Sequence, residues 1–234
     1  MESTNQRQPT VFDVVVVLFD GVTQLDYVGP VEVFGRCPGT EIHLAARKPK
    51  VSTDQGAEVL PTCSLEAAPQ ASVLVVPGGP GAIDTLSDPE LLTFVETQSA
   101  AASWTCSVCT GSFILGAAGL LRGRRATTHW ASHAMLAEFG CLPVDERVVV
   151  DRPVVTSAGV SAGIDMALGV AGEIFGPRHG AWIELAIEYA PHPPFGSGDP
   201  RTAPSRWVTE GREVMARDRL EAVRKAAQRV RGRS

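Results

Sequence analysis

The stretch Trp104–Leu115, WTCSVCTGSFIL, decides how this chain is read. Its first residues (Trp104, Thr105, Cys106, Val108) favour a β-strand, Cys109-Thr110-Gly111 suits a sharp turn, and SFILGAAGLL is small, apolar and helix-compatible. A strand that stops on a nucleophile and passes at once into a helix is a nucleophile elbow. The turn lifts the side chain above the sheet, and the helix N-terminus aims free N–H groups at it. For Cys109 the consequence is electrostatic. A free thiol titrates at about 8.5, and a helix N-terminus lowers that toward neutrality, so a thiolate is expected at working pH.

Outward from the elbow, Val11–Phe19 (VFDVVVVLF) is a nearly unbroken β-branched run, as in a parallel strand buried on both faces. Asp20-Gly21 breaks it, and TQLDYVGP (23–30) leads into the helical VEVFGR. Asp26 therefore stands near a helix start at the carboxyl end of the first strand. That position suits a helix cap and equally a site residue, because sites in open α/β sheets form beyond the carboxyl ends of strands. Asp26 and Cys109 both follow strands, so they can meet.

Glu41–Arg47 reads as a second strand and Val51–Leu60 as a hairpin around Asp54-Gln55-Gly56, with Cys63 in the loop after it. Ala71–Val76 is another buried strand ending in Pro77–Gly81, PGGPG. These glycines lack the Lys-Ser/Thr of a phosphate-binding loop and the spacing of a dinucleotide fingerprint, so an oxyanion pocket on Gly78 and Gly79, facing Cys109, is expected. Asp88-Pro89-Glu90 starts a helix to about Ala102. After the elbow helix, the short β-prone Ala126–Trp130 (ATTHW) brings His129 toward the same rim as a substrate-binding candidate. Arg147–Ser157 makes two short strands. Ser161 caps a helix to Phe175 with Ile164, Leu168, Ala171 and Phe175 on one face, and Trp182–Tyr189 continues the helical pattern. The alternation defines an α/β fold, a doubly wound, mostly parallel sheet sandwiched by helices, of flavodoxin-like type.

A chain of 234 residues with 44% hydrophobic content supports one good core. Its expected organisation is a disordered tail (1–10), a catalytic domain (11–190), a Pro/Gly-rich linker (191–204) and a basic C-terminal helix (205–234). No apolar run reaches membrane-spanning length, and MESTNQRQPT lacks the order of a signal peptide. Five cysteines, an odd count, then read as reduced thiols in a cytoplasm. A net charge of −5 argues against nucleic-acid affinity, although the chain from Arg201 onward carries ten Arg/Lys against four Asp/Glu. Leu220, Val223, Ala227 and Val230 form a narrow stripe there, suited to docking on the parent domain or a second subunit. Cys106 and Cys109 make a C-x-x-C, but Cys106 falls inside the strand, unlike a redox dithiol. No second Cys/His pair has ligand spacing, so a zinc site is not expected.

From about Val11 to Ala190 the chain resembles the ThiJ/PfpI superfamily, single-domain relatives of class I glutamine amidotransferases. The resemblance rests on QLDYVGPVEVF after the first strand, PGGPG, the elbow SVCTG and the later ATTHW. It implies a doubly wound sheet, a cysteine at the elbow, an acidic partner from the end of the first strand, and homodimers. Peptidase-like members carry a histidine directly after the nucleophile, where this chain has Thr110. The elbow Cys-Thr-Gly with Gln24-Leu25-Asp26, TTHW and EYAPHPPF is instead similar to the branch that hydrates isonitriles. For that chemistry Cys109 attacks, Asp26 shuttles the proton, Thr110 orients the carboxyl or the water, and the N–H groups of Gly78, Gly79 and Thr110 steady developing charge. A carboxyl that donates near pH 7 needs a raised pKa, which burial supplies. The partner implied is a small isonitrile, with no nucleic acid, membrane, metal or organic cofactor. Two alternatives stand beside it: glyoxalase- or deglycase-like chemistry on reactive carbonyls, and a non-catalytic ligand-sensing domain related to AraC-type regulators. The latter needs a following helix-turn-helix region of about a hundred residues, where this chain offers one helix after its linker.

Overall fold

Val14–Val17 are fully buried and form the heart of strand β1 (Phe12–Leu18). A computed structural model of the chain describes residues 11–232, so the tail read at 1–10 and the last two residues lie outside the described part. After β1 come α1 (Gln24–Phe34), β2 (Thr40–Ala46), the antiparallel hairpin β3 (Val51–Ser52) with β4 (Glu58–Val59), β5 (Cys63–Ser64) and β6 (Val73–Val76). Then follow α2 (Ala82–Thr85), α3 (Pro89–Ala101), β7 (Trp104–Val108), α4 (Gly111–Ala117), β8 (Arg125–Ala126) and a 3-10 helix, Trp130–Phe139. The chain continues through β9 (Leu142–Pro143), β10 (Val148–Asp151), β11 (Val154–Ser157), α5 (Ala162–Phe175), α6 (Pro177–Ala186) and α7 (Ser205–Arg231). Residues 191–204 hold no helix or strand.

Seven strands form one sheet in the order β10-β11-β7-β6-β1-β2-β5, parallel except for the antiparallel edge pair β10–β11. Val16 lies beside Val75, and Val75 beside Cys106. This register brings the carboxyl ends of β1, β6 and β7 level on adjacent strands. The α1 start, the loop 77–81 and the elbow all leave the sheet there, at the place where open α/β sheets build sites.

Four local expectations are corrected. Cys63 sits in the edge strand β5, because the chain after the hairpin returns to pair with β2. Of the ATTHW segment only Ala126 is strand, the second residue of β8, which pairs with β9 outside the main sheet. The N–H of Thr127 goes to the Thr156 hydroxyl at 2.8 Å, and His129 caps the 3-10 helix, its Nδ1 accepting from the Ala131 N–H. Ser161 occupies the N-cap position of α5 without bonding a helix N–H; its hydroxyl accepts from Arg147 at 3.2 Å. The buried face of α5 is Ala162, Gly163, Met166, Ala167, Val170 and Ala171, while Ile164 turns toward Gly29 of α1. Small residues there let two helices and the sheet meet closely.

The tail helix α7 docks on its own domain, along the 3-10 helix and α4. Val223, Ala226 and Ala227 are buried, Arg224 pairs with Glu138 at 2.9 Å, and Arg231 donates to the Glu138 carbonyl at 3.1 Å. A lone helix with one thin stripe needs such a surface. Among the described residues no helix is long and apolar enough to cross a membrane.

Candidate active site

Cys109 adopts φ 55, the left-handed region that an L residue enters only at a cost. Its N–H donates to the carbonyls of Ser157 and Ala158, at 3.1 and 3.0 Å, which hold the turn from the β11 side. Two residues on, a Cβ at Gly111 would meet the Val76 carbonyl oxygen at 2.0 Å. Glycine is what lets β7 turn into α4 within so short a span.

Asp26 is completely buried in the first turn of α1, yet it caps nothing; Thr23 holds the cap position. Its Oδ2 accepts the Gly78 N–H at 2.9 Å. Apart from the nearby Cys109 thiol, Oδ1 is enclosed without a hydrogen-bond partner among the described residues. Burial is the main cause that raises the carboxyl pKa to about 7, opposed by the Gly78 N–H and the Cys109 thiol and assisted by the charge of Asp54. The carboxyl is thus poised to hold or release a proton near neutrality.

The thiol departs from expectation. Burial, followed by the adjacent Asp26 charge, pushes Cys109 up to about 12. The N–H groups of Thr110 and Val160 and the charge of Arg219 act the other way, and they are outweighed. Desolvation of a residue only 6% exposed therefore overrides the helix N-terminus, and the resting residue is a thiol.

The two loop glycines are also placed differently from the expected oxyanion pocket. The Gly78 N–H is committed to Asp26, and the Gly79 N–H donates to Thr110 Oγ1 at 3.0 Å. Thr110 returns that bond, its hydroxyl donating to the Gly79 carbonyl at 3.2 Å, so it locks the loop instead of orienting the carboxyl or a water. A Cβ at Gly78 would lie 2.5 Å from the Thr110 nitrogen, leaving no room for a side chain. The donors that do address the sulfur are the N–H groups of Thr110 and Val160. Val160 itself is at φ 33, strained for a β-branched residue.

His129 lies on the wall: a Cβ on Gly159 would come within 2.7 Å of its ring, and the ring stacks obliquely on Trp130. Burial, then the Arg219 charge, lowers its pKa to about 4, so it is a neutral imidazole at pH 7. Val160 and Arg219 are the residues that sequence reasoning missed. The small-residue run SAGVSAG hints at a close approach around Val160, whereas nothing distinguishes Arg219 from its basic neighbours. Thr128 ties this wall to the elbow by donating to the Cys109 carbonyl at 2.8 Å. Beside it opens a cavity of about 600 Å³ lined by Thr128, Gly159 and the linker segment Gly198–Arg201.

Cys106 is fully enclosed in β7, its thiol pushed up to about 12 by burial, and all five cysteines are free. Asp13, Glu41 and His43 converge near the starts of β1 and β2, the opposite end of the sheet, where His43 pairs with Asp13 at 2.8 Å.

The fold and site together define an open, doubly wound α/β protein with a cysteine at a nucleophile elbow and a buried carboxyl presented from the next-but-one strand. The chain belongs to the DJ-1/PfpI family, whose model matches residues 13–173. It is 45% identical over 201 residues to the isonitrile hydratase of Pseudomonas putida, covering 86% of this chain and 88% of that enzyme. It is similar to the crystal structure of a ThiJ/PfpI family protein from Pseudomonas syringae, with a TM-score of 0.88, 36% identity, and coverage of 97% and 96% of the two chains. The HTH-type transcriptional regulator GbdR of Pseudomonas aeruginosa is 30% identical over 68% of this chain and 44% of the regulator.

Proposed function

We propose that this chain is an isonitrile hydratase, adding water to R–N≡C to give R–NH–CHO with Cys109 as nucleophile and Asp26 as proton shuttle. The observation that carries the reading is the Asp26–Cys109 pair: a buried carboxyl with a pKa of about 7 beside a protonated thiol on a strained elbow. The 45% identical hydratase supports the substrate class.

The electrostatics support the following sequence of steps. Ionised Asp26 takes the thiol proton as the sulfur attacks the terminal isonitrile carbon, and returns it to that carbon to leave a thioimidate, R–N=CH–S–Cys109. Without this proton the attack would strand negative charge on carbon. Asp26, again a carboxylate, then takes a proton from water as the hydroxide adds to the thioimidate carbon, and passes it to nitrogen. Collapse of the adduct releases the formamide and restores the thiol. Thr110 keeps the loop at 77–81 in register, and with it the Gly78 N–H that aims Asp26. The N–H groups of Thr110 and Val160 steady the sulfur while it carries charge. In this reading His129, against Gly159 and Trp130, is the wall against which the R group rests.

The decisive assay incubates the purified protein with an alkyl isonitrile and follows formamide by NMR. Formamide supports the proposal; lactate from methylglyoxal in its place supports the carbonyl chemistry, and no turnover of either supports a sensor. The homodimer and the cytoplasmic location belong to the same proposal. The family resemblance and the free thiols support them, and sedimentation of the purified chain tests the first.

A further inference from the structure

Arg219 lies on α7, beyond the residues 13–173 that the family model matches, and its guanidinium reaches the 3-10 helix that His129 caps. Its Nη1 donates to the Ser132 hydroxyl at 2.9 Å, and the Ser132 N–H donates to the His129 carbonyl at 2.9 Å. The helix that presents it is seated by buried Val223, Ala226 and Ala227. Arg219 makes no ion pair among the described residues, and unlike the exposed Arg217 it is half-buried. The neighbouring Asp218 acts on it only weakly, as the last of its influences. Holding a half-buried guanidinium without a counterion is unfavourable, so the packing of α7 alone does not account for it.

Sites with a cysteine nucleophile often use an imidazolium to favour the thiolate, but His129 is neutral at pH 7, with a pKa of about 4. Among the described residues, the charges that act on Cys109 are Asp26 from α1, which opposes the thiolate, and Arg219 from α7, which favours it. We propose that Arg219 completes the active site from the C-terminal helix, as a positioning residue whose charge stabilises the Cys109 sulfur when it gives up its proton. The consequence for turnover rests on the hydratase reading; the effect on the thiol does not.

The test measures alkylation of Cys109 by iodoacetamide against pH, read by peptide mass mapping, in the full-length protein. Arg219→Met moves the profile upward by about one pH unit, slowing alkylation at pH 7 roughly tenfold, while Arg219→Lys stays near wild type and the exposed Arg217→Met changes nothing. In the isonitrile assay the same Met variant lowers kcat with KM little changed. If Arg219→Met does not fold, Arg219→Gln, which retains a donor toward Ser132, takes its place. A folded Met or Gln variant with an unmoved alkylation profile overturns the proposal, as does an equal shift in Arg217→Met. Should the wild type make no formamide, the hydratase reading fails while the alkylation profile still decides the role of Arg219.

Discussion

The backbone N–H of Gly78 holds the carboxyl of Asp26 at 2.9 Å across 52 residues of sequence. That bond joins the ends of β1 and β6, and the Thr110–Gly79 bonds join β6 to the elbow after β7. Asp26, the loop and Cys109 are therefore one connected unit, and under the proposed mechanism disturbing the loop disturbs the proton path.

Cys109→Ser is expected to abolish hydration, because a serine hydroxyl beside a carboxyl titrating near 7 is far too weak an acid to supply an alkoxide. Cys106→Ser, buried in the strand, is expected to retain most activity. Equal losses in the formamide assay would restore the C-x-x-C reading.

Asp26→Asn is expected to remove activity and yet stabilise the fold at alkaline pH. The folded carboxyl titrates at about 7 against 3.8 for the free group, so the folded state binds the proton more tightly. Its contribution is fully favourable below about 4 and is lost as pH rises through about 7. Removing the carboxyl should therefore raise stability at pH 8 by on the order of 2–4 kcal/mol. Denaturant titrations at pH 5 and pH 8 measure this, and a variant less stable at both would show that Asp26 is structural only.

In wild type, kcat/KM for the isonitrile should rise as pH increases through about 7, since the pair works with one proton and is inactive with two. The thiol at about 12 places any alkaline loss outside the practical range. A flat profile between pH 5.5 and 8.5, measured with a substrate stable over that range, would contradict Asp26 as the shuttle.

Thr110→Val leaves the buried Gly79 N–H without its acceptor, a cost of about 1–3 kcal/mol. The loosened loop should lower kcat roughly ten- to a hundredfold. Thr110→Ser, which keeps the hydroxyl, should recover most of it. If Val and Ser variants turn over alike, the lock on Gly79 has no part in catalysis.

Deleting the chain after Pro204 strips the cover from the 3-10 helix and α4 and forfeits burial of Val223, Ala226 and Ala227, on the order of 3 kcal/mol. Thermal melts should show the loss. Salt-sensitive retention of duplex DNA by the full chain, absent from the truncation, would revive the regulator reading.

Much of this molecule is legible in one dimension. Val14–Val17 announce a buried strand, PGGPG a close backbone approach, and Cys109-Thr110-Gly111 an elbow, since each is a statement about local sterics and period. The misreadings lie where partners come from far away. ATTHW has β-prone residues but only Ala126 among its positions finds a strand, because the Thr156 hydroxyl and a 3-10 helix claim others. Gly78 and Gly79 look like free donors until Asp26 and Thr110 occupy them.

What the sequence by itself determined is the order of strands and helices, and hence which side chains emerge at the carboxyl ends of β1, β6 and β7. What only the tertiary structure decided is the chemistry of those side chains at rest. A pKa depends on how much water is excluded and which charges stand nearby, and both are set by residues tens to a hundred positions away. That is why Cys109 rests as a thiol despite its helix N-terminus, why Asp26 titrates near 7, and why Arg219, 110 positions further along the chain, acts on Cys109 at all.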